Sequence, residues 1–473
     1  MGLVIFALLI RFPYFHTYVL NWDESTFILM GNAWHEGVFP FTELWDLKQP
    51  LLFGFFKAVI SVFGKSIFMI RLVGALIIAV SGFFVYLIGK KISNEKVGFF
   101  SGILLIFASS LNGSFQSVMS EHIAVFFLMP GIYVLLSAPN RRVYFLLGGI
   151  FIGLSCLVRL NMAFVALSLG VFFTLQPHKF LKNMGNNFLF SIGFGLTFLV
   201  SFLNFHLNGY GDLWLKNVII APFKYANSQE INNLSIKNHL ILILMIGILI
   251  AGFYYLIRIK ILKLKFEFKW MILILAALGI ELSFLKSGNL FMHYVLQILP
   301  FLSIFAVYLI DKYLEKFHTK YITKFYGLML FGLICVVIFK MLAQDWEQKK
   351  KENFAVEQIA DYLNQNLESN DKIYLTTYHL IYWFTDKKPL SQATTHPSNL
   401  TKTYLFPFMD EAGVSSADKL KNVLEQAPRY ILAQEKTWYF DEALQYQFDQ
   451  EVNENYRLVM KSEIGKLYER LGQ

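Results

Sequence analysis

Two adjacent carboxylates, Asp23 and Glu24, follow Trp22 near the start of the chain, and a lone ammonium, Lys48, sits in the run Trp45-Asp46-Leu47-Lys48-Gln49-Pro50. An acid beside an aromatic ring and a second negative charge can have its pKa raised enough to take a proton from a hydroxyl. The same two residues also fit a helix start, with Asp23 as the cap and Glu24 in the first turn, and capping explains both acids without catalysis. Lys48 can hold an anionic phosphate or can snorkel to lipid headgroups.

Four further places carry polar chemistry among apolar residues. Ser120-Glu121-His122 opens an apolar run, where an unpaired buried carboxylate would cost several kcal/mol, roughly, unless water or a partner reaches it. Helix N-terminal placement accounts for Glu121 equally well. Arg159 and Asn161 interrupt an apolar stretch, and an arginine there can grip a phosphate in fork geometry or be an ordinary loop charge. Lys286 and the pair His293-Tyr294 precede Pro300; His293 and Tyr294 can orient a sugar or its phosphate, or belong to an interfacial aromatic belt.

The elements that must position these residues are membrane spans. Of 473 residues 56% are hydrophobic and only 16% charged, which nearly excludes a soluble protein. Apolar runs at Leu72 to Leu87, Phe99 to Ala108, Leu240 to Ala251 and Val295 to Leu309 approach the length needed to cross a hydrocarbon core. The net charge of +9 is scattered between these runs, so nucleic acid is not the expected partner. Cys156 and Cys335 both lie in apolar runs and support neither a disulfide framework nor a cysteine metal site. Met1 to Ile10 has no basic start and no cleavage site, and reads as a short first span.

Basic residues fall in every second connection: Lys90, Lys91 and Lys96; Arg141 and Arg142; Lys179 and Lys182; Arg258, Lys260, Lys263, Lys265 and Lys269; Lys312, Lys316, Lys320 and Lys324. The positive-inside rule makes these cytoplasmic and gives about eleven spans, with an odd number carrying the C-terminus outside. The pair of spans around Arg159 is the least defined. Arg11 to Ile70, Asn112 to Ser120, the turn at Arg159, His206 to Asn238 and Lys286 to His293 then lie outside. Asp23, Glu24, Lys48, Glu121, Arg159, Lys286 and His293 all fall on that side. Apolar residues at helical spacing after Asn21 and again after Pro50 predict two interfacial helices in the long first loop. The predicted fold is a polytopic α-helical membrane protein with a transmembrane catalytic domain over residues 1–341. A small soluble α/β domain follows over 342–473, with strands near Lys372 to Thr377 and Arg429 to Ala433 and helices at Asn353 to Leu367 and Ala417 to Gln426.

Asp23-Glu24, the Gly37 turn, Asp46-x-Lys48-x-Pro50, Phe63-Gly64 and Arg71 together resemble the first outer loop of C-type glycosyltransferases (GT-C fold), in particular the protein O-mannosyltransferase and aminoarabinose transferase superfamily. The resemblance implies Asp23 as general base with Glu24 beside it, and Lys48 on the phosphate of the lipid donor. His293-Tyr294 with the downstream Pro300, and a cation near Arg159, are similar to further features of the family. Gln49 stands where a second proline is common. Leu47 replaces a glutamate that some relatives associate with a metal, so no metal residue is assigned; a divalent cation is allowed but not required.

The expected reaction is an inverting transfer of a sugar from a polyprenyl-phosphate donor to a hydroxyl or phosphate of a lipid, glycan or protein acceptor. Asp23 would take the acceptor proton, with Lys48, Arg159 and His293 offsetting the leaving phosphate and Glu121, Lys286 and Tyr294 lining the pocket. The expected location is the outer face of a plasma membrane, such as a bacterial inner membrane. The rival readings are a lipid-linked-sugar flippase, for which Pro130 within a span is the best feature, and a polysaccharide polymerase or ligase.

Overall fold

The computed structural model describes residues 1–111, 113–137, 141–175, 180–228, 247, 267–287, 291–315, 320–409 and 414–472. The expected span Leu240 to Ala251 lies outside them except for Gly247, as do Lys179, Arg258, Lys260, Lys263, Lys265 and Lys316. Among the described residues five helices are long and apolar enough to cross a membrane: Ile67–Ile92, Ser120–Ser137, Leu181–Leu207, Phe268–Lys286 and Met292–Lys312. Shorter apolar helices occur at Gly2–Tyr14, Pro50–Phe63, Arg142–Cys156 and Leu160–Leu175. The stretch around Arg159 is therefore two helices with a break at 157–162, not one long span.

The chain divides into two compact units. One comprises Met1–Phe12, Leu72–Trp214 and Ala226–Met341. Its helices pack through small residues, as membrane helices do where backbones must approach closely. The clearest case joins Arg142–Cys156 to Phe180–Leu207: a Cβ on Gly149 would lie 2.0 Å from the Phe190 carbonyl, and one on Gly193 would lie 2.1 Å from the Leu146 carbonyl. Arg11, at the end of the first helix and only 2% exposed, donates to the carbonyls of Ser109, Phe115, Gln116 and Ser117 at 2.6–3.2 Å. It thereby ties down a connection whose carbonyls would otherwise be buried without partners.

The second unit gathers Pro13–Arg71, Leu215–Tyr225 and Leu342–Gln473. The first loop thus packs with the C-terminal region. Its two expected helices are present at Trp22–His35 and Pro50–Phe63. The second begins at Pro50, which supplies a helical φ and needs no donor, and ends at Gly64, whose φ of +70° other residues rarely adopt. The C-terminal sheet has the order β1-β2-β4-β3, with β1 at Ile373–Leu375, β2 at Tyr430–Ala433, β3 at Tyr456–Ser462 and β4 at Gly465–Arg470. β1 and β2 are parallel and fully buried, matching the two expected strands, whereas the β3–β4 hairpin and the helix Glu442–Asn455 were not foreseen. The expected helix at Asn353 to Leu367 is the end of one long helix, Lys320–Asn366.

Candidate active site

The Trp22–His35 helix is capped by Asn21, whose side chain accepts from the Asp23 N–H at 2.9 Å. Capping by Asp23 is corrected on this point: an extended residue two places earlier does that work, and both acids sit in the first turn. They diverge at once. Glu24 is 1% exposed and pairs with the equally buried Arg71, Nη2 to Oε2 at 2.7 Å, while Arg71 also donates to the Thr17 carbonyl at 3.3 Å. Removing one member of such a pair leaves an uncompensated buried charge, so Glu24 and Arg71 fix the helix start against the helix carrying Arg71.

Asp23 keeps 25% of its side chain exposed, and its Oδ1 lies 3.1 Å from Nε2 of His396. His396 comes from the segment Ser391 to Lys402, which is fastened to the first loop at several points. Gln392 donates to the carbonyls of Phe41 at 3.1 Å and Thr42 at 2.6 Å. Thr395 accepts from the Trp45 N–H at 3.2 Å, and its carbonyl accepts from Thr26 Oγ1 at 3.4 Å. Trp45, fully buried, donates in turn to Asn217 at 2.7 Å.

In the same loop Asp46 is 5% exposed and its Oδ1 accepts the Lys48 N–H at 3.0 Å, closing a turn that folds the lysine back. The Lys48 ammonium stands 4.0 Å from the same oxygen and 5.7 Å from the centre of the Phe27 ring, with 23% of its side chain exposed. Lys402 joins this group: burial and then the Lys48 charge hold its ammonium below the usual lysine range, while Asp23 and Asp46 pull it upward. A partly exposed carboxylate and two cations linked electrostatically through Lys402 thus belong to one unit, an arrangement that can remove a proton and offset an anion.

The remaining predicted residues belong to the other unit, where the structure joins most of them. Arg159 makes a short ion pair with Glu121 and donates to Ser120 Oγ at 2.8 Å. His293 Nε2 lies 3.8 Å from the same Glu121 oxygen, and the guanidinium covers the Tyr294 ring at 4.9 Å. Asn161 extends the cluster to Ser283 at 3.0 Å and Gln297 at 2.7 Å. Arg159 is 7% exposed, which rules out an ordinary loop charge, and Glu121 has the partner its burial requires. Lys286 lies exposed in the last turn of its helix.

Sequence reasoning missed His396 and Lys402. His396 is 373 positions from Asp23, so no local spacing could pair them; the only signal was a histidine and a lysine in a polar stretch without regular periodicity. Among the described residues no three of His, Cys, Asp and Glu gather as a metal site.

Residues 48–203 match the dolichyl-phosphate-mannose-protein mannosyltransferase family, a segment that begins at Lys48 and includes Arg71, Glu121 and Arg159. The crystal structure of ArnT from Cupriavidus metallidurans bound to undecaprenyl phosphate superposes with a TM-score of 0.67 at 13% identity, over 100% of this chain and 98% of that one. The apo form gives 0.69 at 12% identity, over 99% and 97%. The archaeal oligosaccharyltransferase AglB from Archaeoglobus fulgidus, in complex with an inhibitory peptide and a dolichol-phosphate, gives 0.50 at 11% identity, over 92% and 69%. No curated protein sequence matches.

Proposed function

We propose, from a chain whose fold is that of the C-type glycosyltransferases, that this protein is a membrane glycosyltransferase using a polyprenyl-phosphate-linked sugar. The observation that carries the reading is that Asp23, a quarter of its side chain exposed and hydrogen-bonded to His396, interacts electrostatically with Lys402, which also feels Lys48 and Asp46 of the same unit. In this reading Asp23 removes the proton of the acceptor hydroxyl, the freed oxygen attacks the anomeric carbon, and the bond from that carbon to the phosphate oxygen breaks with inversion. The electron pair leaves on the lipid phosphate, whose charge Lys48 and Lys402 offset. Glu24, tied to Arg71, holds the base in place.

Arg159 and His293 are proposed as further phosphate contacts, with Glu121, Lys286 and Tyr294 as pocket residues. Because Arg159 is already paired with Glu121, it can serve a phosphate only by exchanging partners or by using its remaining N–H groups. Lysines are the charge-bearing groups in this reading, and a divalent cation would add to them. We place the reaction on the extracytoplasmic face of a bacterial inner membrane, following the distribution of basic residues.

A panel of radiolabelled polyprenyl-phosphate sugars in proteoliposomes tests the proposal: label should appear on acceptor with release of the lipid phosphate. Donor binding without transfer to lipid, glycan or protein acceptors, combined with movement of intact donor across the bilayer, would replace it with a flippase. The fold shared with an oligosaccharyltransferase supports a second reading, transfer of a preassembled glycan. Product size separates the two, since a monosaccharide shifts the acceptor by one sugar.

A further inference from the structure

We infer that His396 is a positioning residue for Asp23, held as the neutral imidazole with its proton on Nε2, and that it cannot itself be the base. The inference rests on the proposed transferase reading, but its first premise is purely geometric. Nδ1 of His396 lies 3.2 Å from the backbone N–H of Ser398 and 3.0 Å from Ser398 Oγ. A backbone N–H can only donate, so Nδ1 must present its lone pair. The one ring proton of the neutral form is then on Nε2, which faces Asp23 Oδ1 at 3.1 Å.

This reverses the arrangement in which a carboxylate orients a histidine that acts as base. There the ring gives Nδ1–H to the acid and keeps Nε2 free to take a proton. Here both ring nitrogens are engaged, and accepting a proton at Nδ1 would break the Ser398 bond. The ring therefore gives a fixed hydrogen bond to Oδ1 of Asp23, and the Nε2 proton stays where it is while the carboxylate receives the acceptor's proton. A hydrogen bond to the ionised form also favours that form, keeping Asp23 competent as a base.

The ring cannot swing aside cheaply. Thr395, its neighbour, is held through both its hydroxyl and its carbonyl, and His396 itself caps the turn Pro397–Thr401. The C-terminal region in this way supplies a part of the base, a role beyond that of a cover. Among the described residues, the charged groups near this carboxylate include Lys402 from the segment that carries His396, which also interacts with Asp46 and Lys48 of the first loop, and the Glu24–Arg71 pair that begins at the next residue.

Two measurements test the inference independently. In full-length protein labelled with 15N-histidine in lipid, the His396 signals, assigned by their loss in His396→Gln, should show an unprotonated Nδ1 and a protonated Nε2, with the Nε2 signal moving in Asp23→Asn. A proton on Nδ1, or no response to Asp23→Asn, overturns the assignment whether or not any donor is ever turned over. In the transfer assay His396→Ala should lower kcat about 10- to 100-fold, the range expected for a lost hydrogen bond to a charged group. KM for the donor should stay within about twofold, and the acid limb of the pH profile should move to higher pH as the carboxylate loses its donor. His396→Gln, which keeps an N–H, should recover most of the rate. Equal activity of the two variants and wild type, or equal loss in both with an unmoved acid limb, contradicts a positioning role. Absence of transfer in the wild type together with the expected 15N pattern would count against the transferase reading alone.

Discussion

Glu121 and Asp23 both stand near the start of a helix beside an aromatic or polar neighbour, yet their surroundings differ. Glu121 is fully buried against Arg159, with His293 and Tyr294 completing a closed polar cluster in the apolar unit. A quarter of the Asp23 side chain is exposed, and its partner is an imidazole whose other nitrogen is tied to the backbone. The same contrast recurs one residue on, where the buried Glu24 is locked to Arg71. A carboxylate neutralised by a buried arginine has its charge satisfied and resists change, whereas one facing a neutral donor and an opening can still take a proton. Under the proposed function, the pairings separate acids that hold the fold from the acid placed to react.

The largest effect should come from breaking the closed cluster. Glu121→Ala should cost about 3–5 kcal/mol, because it removes the buried carboxylate that offsets the Arg159 charge in the apolar unit. Thermal unfolding in detergent reads this. The double change Glu121→Leu with Arg159→Met should recover most of the loss; if it also keeps full transfer, Arg159 is not a donor contact and the division between the clusters sharpens.

Acid should loosen the other region next. Burial pushes His379 down to about 3, against a hydrogen bond to the Thr394 backbone that pulls it upward. Between pH 6.5 and about 3 the unfolded chain binds a proton that the folded chain does not, so this contribution is complete above pH 6.5 and is lost as pH falls toward 3. His379→Gln should flatten that part of the stability profile, by a few kcal/mol in rough terms. Protease sensitivity of the 391–402 segment is the local readout, and an unchanged profile would mean that His379 titrates alike in both states.

Lys48→Ala should weaken donor binding about 10- to 100-fold, the loss expected for one charge-assisted hydrogen bond to phosphate. An unaltered Kd would move the phosphate site to the other cluster. The smallest change should follow metal removal: with lysines offsetting the phosphate, transfer in EDTA should stay within about twofold of the untreated rate. A large loss restored by a divalent ion would show that the cations named above are insufficient.

What the sequence revealed follows from the range of the forces involved. Apolar runs, the two loop helices and the buried strands β1 and β2 could be read because each is a local pattern of period 3.6 or a continuous apolar run. The hairpin of β3 and β4 escaped because only Tyr456 on β3 and Leu467 on β4 are fully buried, leaving no regular alternation. Asp23, Glu24, Lys48, Glu121, Arg159 and His293 were visible as misplaced polarity near apolar helices. Their pairings were not, since Arg71, Arg159 and His396 reach their acids across 47, 38 and 373 positions respectively. Local physics offered a cap for Asp23, but the competing cap at Asn21 settles that position differently.

The central claim is that Asp23, not its neighbours, takes the acceptor's proton. The direct measurement is transfer of radiolabelled sugar from a polyprenyl-phosphate donor by Asp23→Asn in proteoliposomes, with folding and donor binding checked on the same preparation. Loss of transfer by about 100-fold or more, as expected for removing a general base, with donor affinity intact, is the predicted result. Transfer at the wild-type rate would contradict the assignment.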